Sequence, residues 1–125
     1  MKTVFVVSAA LAGTFMAAPA LAHPKLVSAS PAANAAVPRP GKIQLRFSEK
    51  LLPKLSGAKL VMTGMPGGKD HPPMPVAGTA AVVQDGKTLL VTPASPLPAG
   101  TYRVDWHVVS SDTHRVTGGH KFTVR

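Results

Sequence analysis

Hydrophobic and polar residues alternate along most of the chain, and Pro and Gly interrupt the alternation at short intervals. In the segment 42–47, Ile43, Leu45 and Phe47 are apolar and the residues between them are polar, which is the two-residue period of a strand with one buried face. After the first 22 residues, no segment keeps a 3.6-residue period long enough to predict a helix. The pattern predicts seven short strands, at Lys25–Ser30, Lys42–Phe47, Ala58–Thr63, Ala80–Gln84, Lys87–Thr92, Thr101–Val109 and Gly119–Val124.

Seven short strands in about 100 residues are typical of an all-β fold, a Greek-key β-sandwich or barrel. The dipeptide Asp85-Gly86 between two of the strands is a hairpin signal. Alternation along the longest strand places Trp106 in the core and puts Asp105 and His107 together on the outer face. The segment Pro66–Pro75 is rich in Pro and Gly, and we predict it to be one long loop.

The first 22 residues have the three parts of a secretory signal peptide. Lys2 supplies a positive charge, Val4–Met16 is an apolar run, and Ala20-Leu21-Ala22 is the small-x-small pattern that precedes a cleavage site. The apolar run, about 13 residues long, is too short to span a membrane. We therefore predict export to the periplasm and a single mature domain, residues 23–125, that begins with His23 and has no transmembrane segment.

The composition excludes several kinds of site. The chain has no cysteine, which excludes disulfides, cysteine-based zinc sites, iron–sulfur clusters, cysteine nucleophiles and the blue-copper site. A bound metal must therefore have nitrogen, oxygen or thioether ligands. The 14 Lys and Arg residues exceed the 5 Asp and Glu residues, but no aromatic platform or compact basic run accompanies them, so nucleic-acid binding is not predicted.

Cleavage of the signal peptide would give His23 a free α-amine. The amine and the imidazole Nδ1 of one residue can then close a six-membered chelate ring on a metal ion. Pro24 has no backbone N–H, so the next backbone nitrogen cannot join the chelate. The alternative is that the histidine is incidental and lies at a frayed terminus.

Two Asp-x-His units, Asp105-Trp106-His107 and Asp112-Thr113-His114, lie near the end of the chain. On an extended backbone, residues i and i+2 point the same way, so either unit could present a carboxylate and an imidazole to one ion. Together with His23, either unit gives three nitrogens and one oxygen, a set suited to Cu(II). The first unit could equally be a salt-bridging pair on a strand. We favour the second unit, because it lies in a polar run beyond the strand, where binding residues are commoner.

Three methionines follow the signal peptide, and all of them lie in one 13-residue window that also contains His71. Thioether sulfur is a soft ligand that favours Cu(I), and it needs no deprotonation. Met65 and Met74 lie in polar sequence and are hard to explain as core residues, whereas Met62 ends an apolar strand and could equally fill the core. The window therefore predicts a Cu(I) site.

Four segments, His23–Ser28, Phe47–Glu49, Ser56–Met62 and Ser110–His114, together resemble the CopC/PcoC family of periplasmic copper-resistance proteins. The resemblance implies a cupredoxin-like or immunoglobulin-like β fold, with a Cu(II) site at one end and a Cu(I) site at the other. It implies that the Cu(II) ligands are His23, Asp112 and His114, with Glu49 nearby, and that the Cu(I) ligands are Met62, Met65, His71 and Met74.

We therefore predict a monomeric, non-enzymatic protein that sequesters copper or carries it to partners, for copper resistance or homeostasis. The resemblance suggests an inner-membrane copper transporter or a periplasmic multicopper oxidase as the partner. One alternative is a small copper-dependent oxidative enzyme with an N-terminal histidine brace. Another is a structural or adhesive β-sandwich with incidental histidines. His107 and His120 depart from the family pattern, and we expect them on the surface or next to the site.

Overall fold

The computed structural model describes residues 23–125, and the predicted signal peptide, residues 1–22, lies outside the described residues. Short alternating segments form nine strands, as the Pro and Gly breaks favour. The strands are β1 Leu26–Ser30, β2 Ala36–Val37, β3 Ile43–Phe47, β4 Gly57–Met65, β5 Lys69–Val76, β6 Gly78–Val82, β7 Thr88–Pro93, β8 Gly100–Val109 and β9 Arg115–Val124, with a short 3₁₀ turn at Pro53–Leu55. Within residues 23–125, no helix is long and apolar enough to cross a membrane.

The strands form two sheets that pack face to face. One sheet has the order β1-β3-β7-β6 and the other has the order β2-β9-β8-β4-β5. Alternating residues of β3 and β8 meet between the sheets, and Trp106 packs edge-on against Phe47 with the ring centroids 4.9 Å apart. The predicted all-β sandwich is confirmed, and of the two forms that we considered the structure is the open sandwich and not a closed barrel. The core cluster consists of Ile43, Leu45, Phe47, Leu51, Leu60, Leu89, Val91, Leu97, Tyr102, Val104, Trp106, Val108, Phe122 and Val124.

The predicted loop at Pro66–Pro75 is wrong. Residues Lys69–Val76 form strand β5, which pairs antiparallel with β4, and only a tight turn at 66–68 connects the two strands. Proline lacks the N–H that a strand between two neighbours must donate, but β5 is the outermost strand of its sheet, where proline is tolerated. The Pro-rich composition therefore indicates an edge strand here and not a loop.

Strand β9 begins at Arg115, earlier than the predicted start at Gly119. Two glycines interrupt the alternation that would have extended the prediction. Gly118 is required by packing, because a Cβ atom there would overlap the indole ring of Trp106, which lies opposite it on β8. The two-residue strand β2, Ala36–Val37, also escaped prediction because it is too short to show a period.

The ten residues of β8 connect the two ends of the sandwich. At about 3.3 Å per residue the strand spans roughly 30 Å. Gly100 begins β8 beside the β4–β5 turn, and Val109 ends it just before the turn that contains Asp112 and His114. The two groups of predicted ligands therefore lie at opposite ends of the molecule.

Candidate metal centre

Three predicted ligands meet at one end of the sandwich. His23, Asp112 and His114 each offer a ligand atom, and these atoms all lie within 4.8 Å of one another. The rings of His23 and His114 have centroids 5.2 Å apart and are tilted by 42°. The first described residue and two residues of the β8–β9 turn thus bring their ligand atoms close enough together to share one metal ion.

A tight turn between β8 and β9 brings Asp112 and His114 together. The N–H of Thr113 donates to the carbonyl of Ser110 at 2.8 Å, and Thr113 has a positive φ of 68°. The two side chains therefore come together through a turn with one left-handed residue, and not through the extended backbone on which the i, i+2 expectation was based.

Hydrogen bonds to Ser48, directly after β3, hold the segment that carries His23. The N–H of Lys25 donates to Ser48 Oγ at 2.9 Å, and the N–H of Ser48 donates to the Lys25 carbonyl at 2.9 Å. Pro24 is fully buried, whereas the His23 side chain is exposed. Burial of the proline and the paired bonds fix the backbone next to His23, so a frayed segment at this point does not fit the structure.

Hydrogen bonds keep Asp112 ionised. Its Oδ1 accepts the Ser110 hydroxyl at 2.6 Å and the backbone N–H of His114 at 3.1 Å, and Nδ1 of His114 lies 3.2 Å from Oδ2. These donors, the Ser110 hydroxyl first among them, lower the pKa of Asp112 to about 2. The carboxylate can therefore meet a cation at neutral pH without losing a proton.

Glu49 is close to this end but outside the cluster. It is half-buried and follows Ser48, the residue that binds the backbone of Lys25. Its carboxylate is not among the three groups that lie within 4.8 Å of one another. The structure therefore brings together three of the four residues that the resemblance implied, with Glu49 as a neighbour.

The other Asp-x-His unit has a different environment on the outer face of β8. Asp105 binds the guanidinium of Arg103 in two hydrogen bonds, of 2.6 and 3.1 Å. Burial lowers the pKa of His107, and the positive charges of Arg115 and Lys59 lower it further. Asp105 thus forms a salt bridge on a strand, the alternative that we considered for this unit, and both its carboxylate oxygens bind Arg103.

His120 is not a surface residue as expected. Only 3% of it is exposed, and its Nε2 lies 2.8 Å from the carbonyl oxygen of Pro31. It lies on the same face of β9 as the buried residues Phe122 and Val124, so it faces the core, where its hydrogen-bonded ring fills space. His120 is therefore not part of the cluster of His23, Asp112 and His114.

Three methionines lie at the opposite end of the sandwich. Met62 and Met74 are direct cross-strand partners on β4 and β5, so their side chains point to the same face. The Met62 methyl occupies the space that a Cβ atom on Gly100 would need, and Met65 lines a surface cavity together with Gly100. Met65 and Met74 are exposed, and Met62 is half-buried against the core.

The structure sets His71 apart from this methionine group. His71 lines a surface pocket of about 410 Å³ with residues of the sheet's outer face, among them Thr63, Arg103 and Lys121. Its Nδ1 lies 2.8 Å from the Pro72 carbonyl and therefore donates to it, while Nε2 is buried and has no hydrogen-bond partner within the described protein. In a neutral ring Nε2 then carries a free lone pair.

Ser110 and Ser48 are site residues that sequence reasoning did not single out. Both occur in the family-like segments, but no role was assigned to them. The Ser-x-Asp spacing of Ser110 and Asp112 could have indicated the first, because hydroxyl groups in turns commonly bond to side chains and backbone groups two residues away. No local signal pairs Ser48 with Lys25, because Ser48 follows β3 and Lys25 precedes β1.

Known proteins resemble the chain over most of its length. The CopC domain model matches residues 26–125. Copper resistance protein C of Escherichia coli is 58% identical over 106 residues, covering 85% of this chain and 84% of the relative. Copper resistance protein C of Xanthomonas campestris pv. juglandis is 56% identical over 123 residues, covering 98% of this chain and 93% of the relative. The crystal structure of PcoC, a methionine-rich copper resistance protein from Escherichia coli, is 58% identical with a TM-score of 0.76, covering 83% of this chain and all of that one (100%).

The fold and the cluster define a small two-sheet β-sandwich with a group of metal-ligating side chains at one end. The family match then assigns this sandwich: the chain belongs to the CopC family. The relatives are named for copper resistance and not for an enzymatic reaction, which agrees with the predicted non-enzymatic role.

Replacement of Ser110 tests its bond to Asp112. In Ser110→Ala, we expect the pKa of Asp112 to rise from about 2 toward the ordinary 3.8, measured by the NMR shift of its carboxyl carbon against pH. Because the lowered pKa favours the ionised folded state, its stabilising effect is present above the unfolded value and is lost as the pH falls through about 2. Ser111→Ala, at the exposed neighbouring position, should leave the pKa unchanged. Equal pKa values in Ser110→Ala and the unaltered protein would contradict this role.

Proposed function

We propose that this protein is a periplasmic copper carrier, which binds Cu(II) through His23, Asp112 and His114 and binds Cu(I) through its methionines. It would serve copper resistance by sequestering copper or by passing it to a partner. The observation that carries the proposal is the convergence of the three ligand groups within 4.8 Å, around an ionised carboxylate, in a chain of the CopC family.

The protonation of Asp112 and His114 supports the proposed Cu(II) site. Since the Asp112 carboxylate is ionised, the contact with Nδ1 of His114 requires a proton on that nitrogen, which leaves Nε2 of His114 free to bind copper. Oδ2 of Asp112 keeps a second lone pair for the ion. After signal cleavage, the amine and the imidazole of His23 would supply two more nitrogens. Three nitrogens and one oxygen then surround Cu(II), a set that suits its tetragonal geometry.

The positions of the three methionines support the proposed Cu(I) site. Met62 and Met74 face the same side of adjacent strands, and Met65 lies at the adjoining turn. Neutral thioether ligands favour Cu(I) over Cu(II). We propose that His71 joins them through Nε2 when residues 71–73 move on copper binding, because the register between β4 and β5 shifts opposite these residues.

The two sites would exchange copper with partners independently. They lie at opposite ends of β8, roughly 30 Å apart by the strand rise, so one ion cannot bridge them within a monomer. His23 and His114 are exposed at one end, and Met65 and Met74 at the other. Exposed ligands can be replaced one at a time by those of a docked protein. An inner-membrane copper transporter or a periplasmic multicopper oxidase is the partner that we propose.

The Cu(II) site is tested by replacing the histidine of each Asp-x-His unit in a separate variant. In protein beginning at His23, we expect His114→Gln to lower the Cu(II) affinity by more than the roughly 10–100-fold typical of losing a residue that only supports a ligand. The matched variant His107→Gln should retain the affinity. Quenching of Trp106, the only tryptophan, reports binding, because Trp106 contacts Phe47 beside the segment that carries His23. Equal losses in both variants, or in neither, would refute the assignment.

The Cu(I) site is tested by a competition assay with a chromogenic Cu(I) chelator under anaerobic conditions. We expect Met65→Leu and Met74→Leu each to reduce Cu(I) affinity, since leucine keeps the volume and removes the soft sulfur ligand. Both positions are exposed, so the fold should tolerate the changes. Val27→Leu, at an exposed apolar position on the other sheet, serves as the control. Unchanged Cu(I) affinity in the Met65 and Met74 variants would show that these residues are not Cu(I) ligands.

A further inference from the structure

The three methionines differ in their access to solvent. Met65 is 52% exposed at the β4–β5 turn, and Met74 is 55% exposed on the edge strand β5. Met62 is half-buried, packs against the core and has its methyl against Gly100. The two outer sulfur atoms can therefore be reached by a dissolved small molecule, whereas the inner one is shielded.

A thioether sulfur binds Cu(I) and attacks an oxidant with the same lone pairs of electrons. When hydrogen peroxide oxidises methionine, its O–O bond breaks, one oxygen atom attaches to sulfur, and the other leaves as water, or as an alcohol from an organic peroxide. The sulfur loses two electrons and becomes a sulfoxide, which is polar and is no longer the soft ligand that Cu(I) prefers. Oxidation and Cu(I) binding therefore compete for one atom.

We propose that Met65 and Met74 are oxidation sites through which peroxide-class oxidants abolish Cu(I) binding by the metal-free protein and leave its Cu(II) site intact. This inference rests on the proposed Cu(I) site. Met62 keeps its thioether because the core shields it, and one remaining sulfur is too few to hold the ion. The ligands His23, Asp112 and His114 contain no sulfur and lie at the far end of β8.

The competition has a reciprocal consequence. A bound soft cation takes one lone pair of each sulfur and makes the other less nucleophilic, so the loaded protein resists oxidation at Met65 and Met74. The metal-free protein is oxidised first. Oxidising conditions would thus convert a carrier with two kinds of site into one that accepts only Cu(II), the form that copper takes under those conditions. Enzymatic reduction can restore the thioether from its sulfoxide.

The first measurement maps the oxidation. Metal-free protein beginning at His23 is exposed to dilute hydrogen peroxide, and the sites are assigned by peptide mass spectrometry. We expect oxygen on Met65 and Met74 well before Met62. Ag(I) in chloride-free buffer serves as a soft cation that does not itself react with peroxide as Cu(I) does, and it should slow oxidation at both positions. Val27→Leu, the exposed control position on the other sheet, should leave this pattern unchanged. Oxidation of Met62 as fast as the other two would overturn the inference.

The second measurement determines the effect on copper. We expect the oxidised protein to lose Cu(I) affinity by at least about tenfold, while its Cu(II) titration by Trp106 quenching is unchanged. Retained Cu(I) affinity after complete oxidation of Met65 and Met74 would overturn the inference and leave the Cu(I) site standing. Absence of Cu(I) binding before oxidation would overturn both. Loss of Cu(II) binding as well would show general damage to the fold and would also contradict the inference.

Discussion

The pairing of β8 with β9 fixes the position of the turn that carries Asp112 and His114. Ten consecutive residue pairs, from Gly100 opposite Val124 to Val109 opposite Arg115, run without a bulge. A slip of one residue would turn Trp106 and its buried neighbours outward, so the hydrophobic face determines the register. The turn that holds Asp112 and His114 can therefore form only at one end of the sandwich. The same ladder places Gly100, against which Met62 packs, at the other end.

This separation lets one small scaffold present two kinds of ligand. At one end an ionised carboxylate and imidazole nitrogens form a set suited to Cu(II), and at the other end neutral sulfur atoms suit Cu(I). The chain is strongly basic and repels free cations at long range, so capture of copper has to depend on the local ligands. Ser110 contributes to this by holding the Asp112 carboxylate in its ionised form. The absence of cysteine leaves no thiol to compete for either ion.

The strands with a clear two-residue period could be predicted from the sequence, and alternation also predicted the buried faces of β3 and β8. Strand β5 could not, because its prolines resemble a loop until one knows that it forms a sheet edge. The start of β9 could not be predicted, because Gly118 is required by the indole of Trp106 and not by a local sequence pattern. The convergence of His23 on His114 depends on the burial of Pro24 and on the bonds between Lys25 and Ser48, which only the tertiary fold brings together. His71 was grouped with the methionines by spacing, yet its side chain lines the outer pocket.

The free amine of His23 is the part of the Cu(II) site that depends on signal cleavage and on no other residue. The most direct test compares Cu(II) affinity in protein that begins at His23 with protein that carries one additional N-terminal alanine. The extension retains every side chain but converts the amine into an amide, which opens the proposed chelate ring. We expect the extended protein to bind Cu(II) at least about tenfold more weakly, since a chelating nitrogen is lost. Equal affinities would contradict the proposed site.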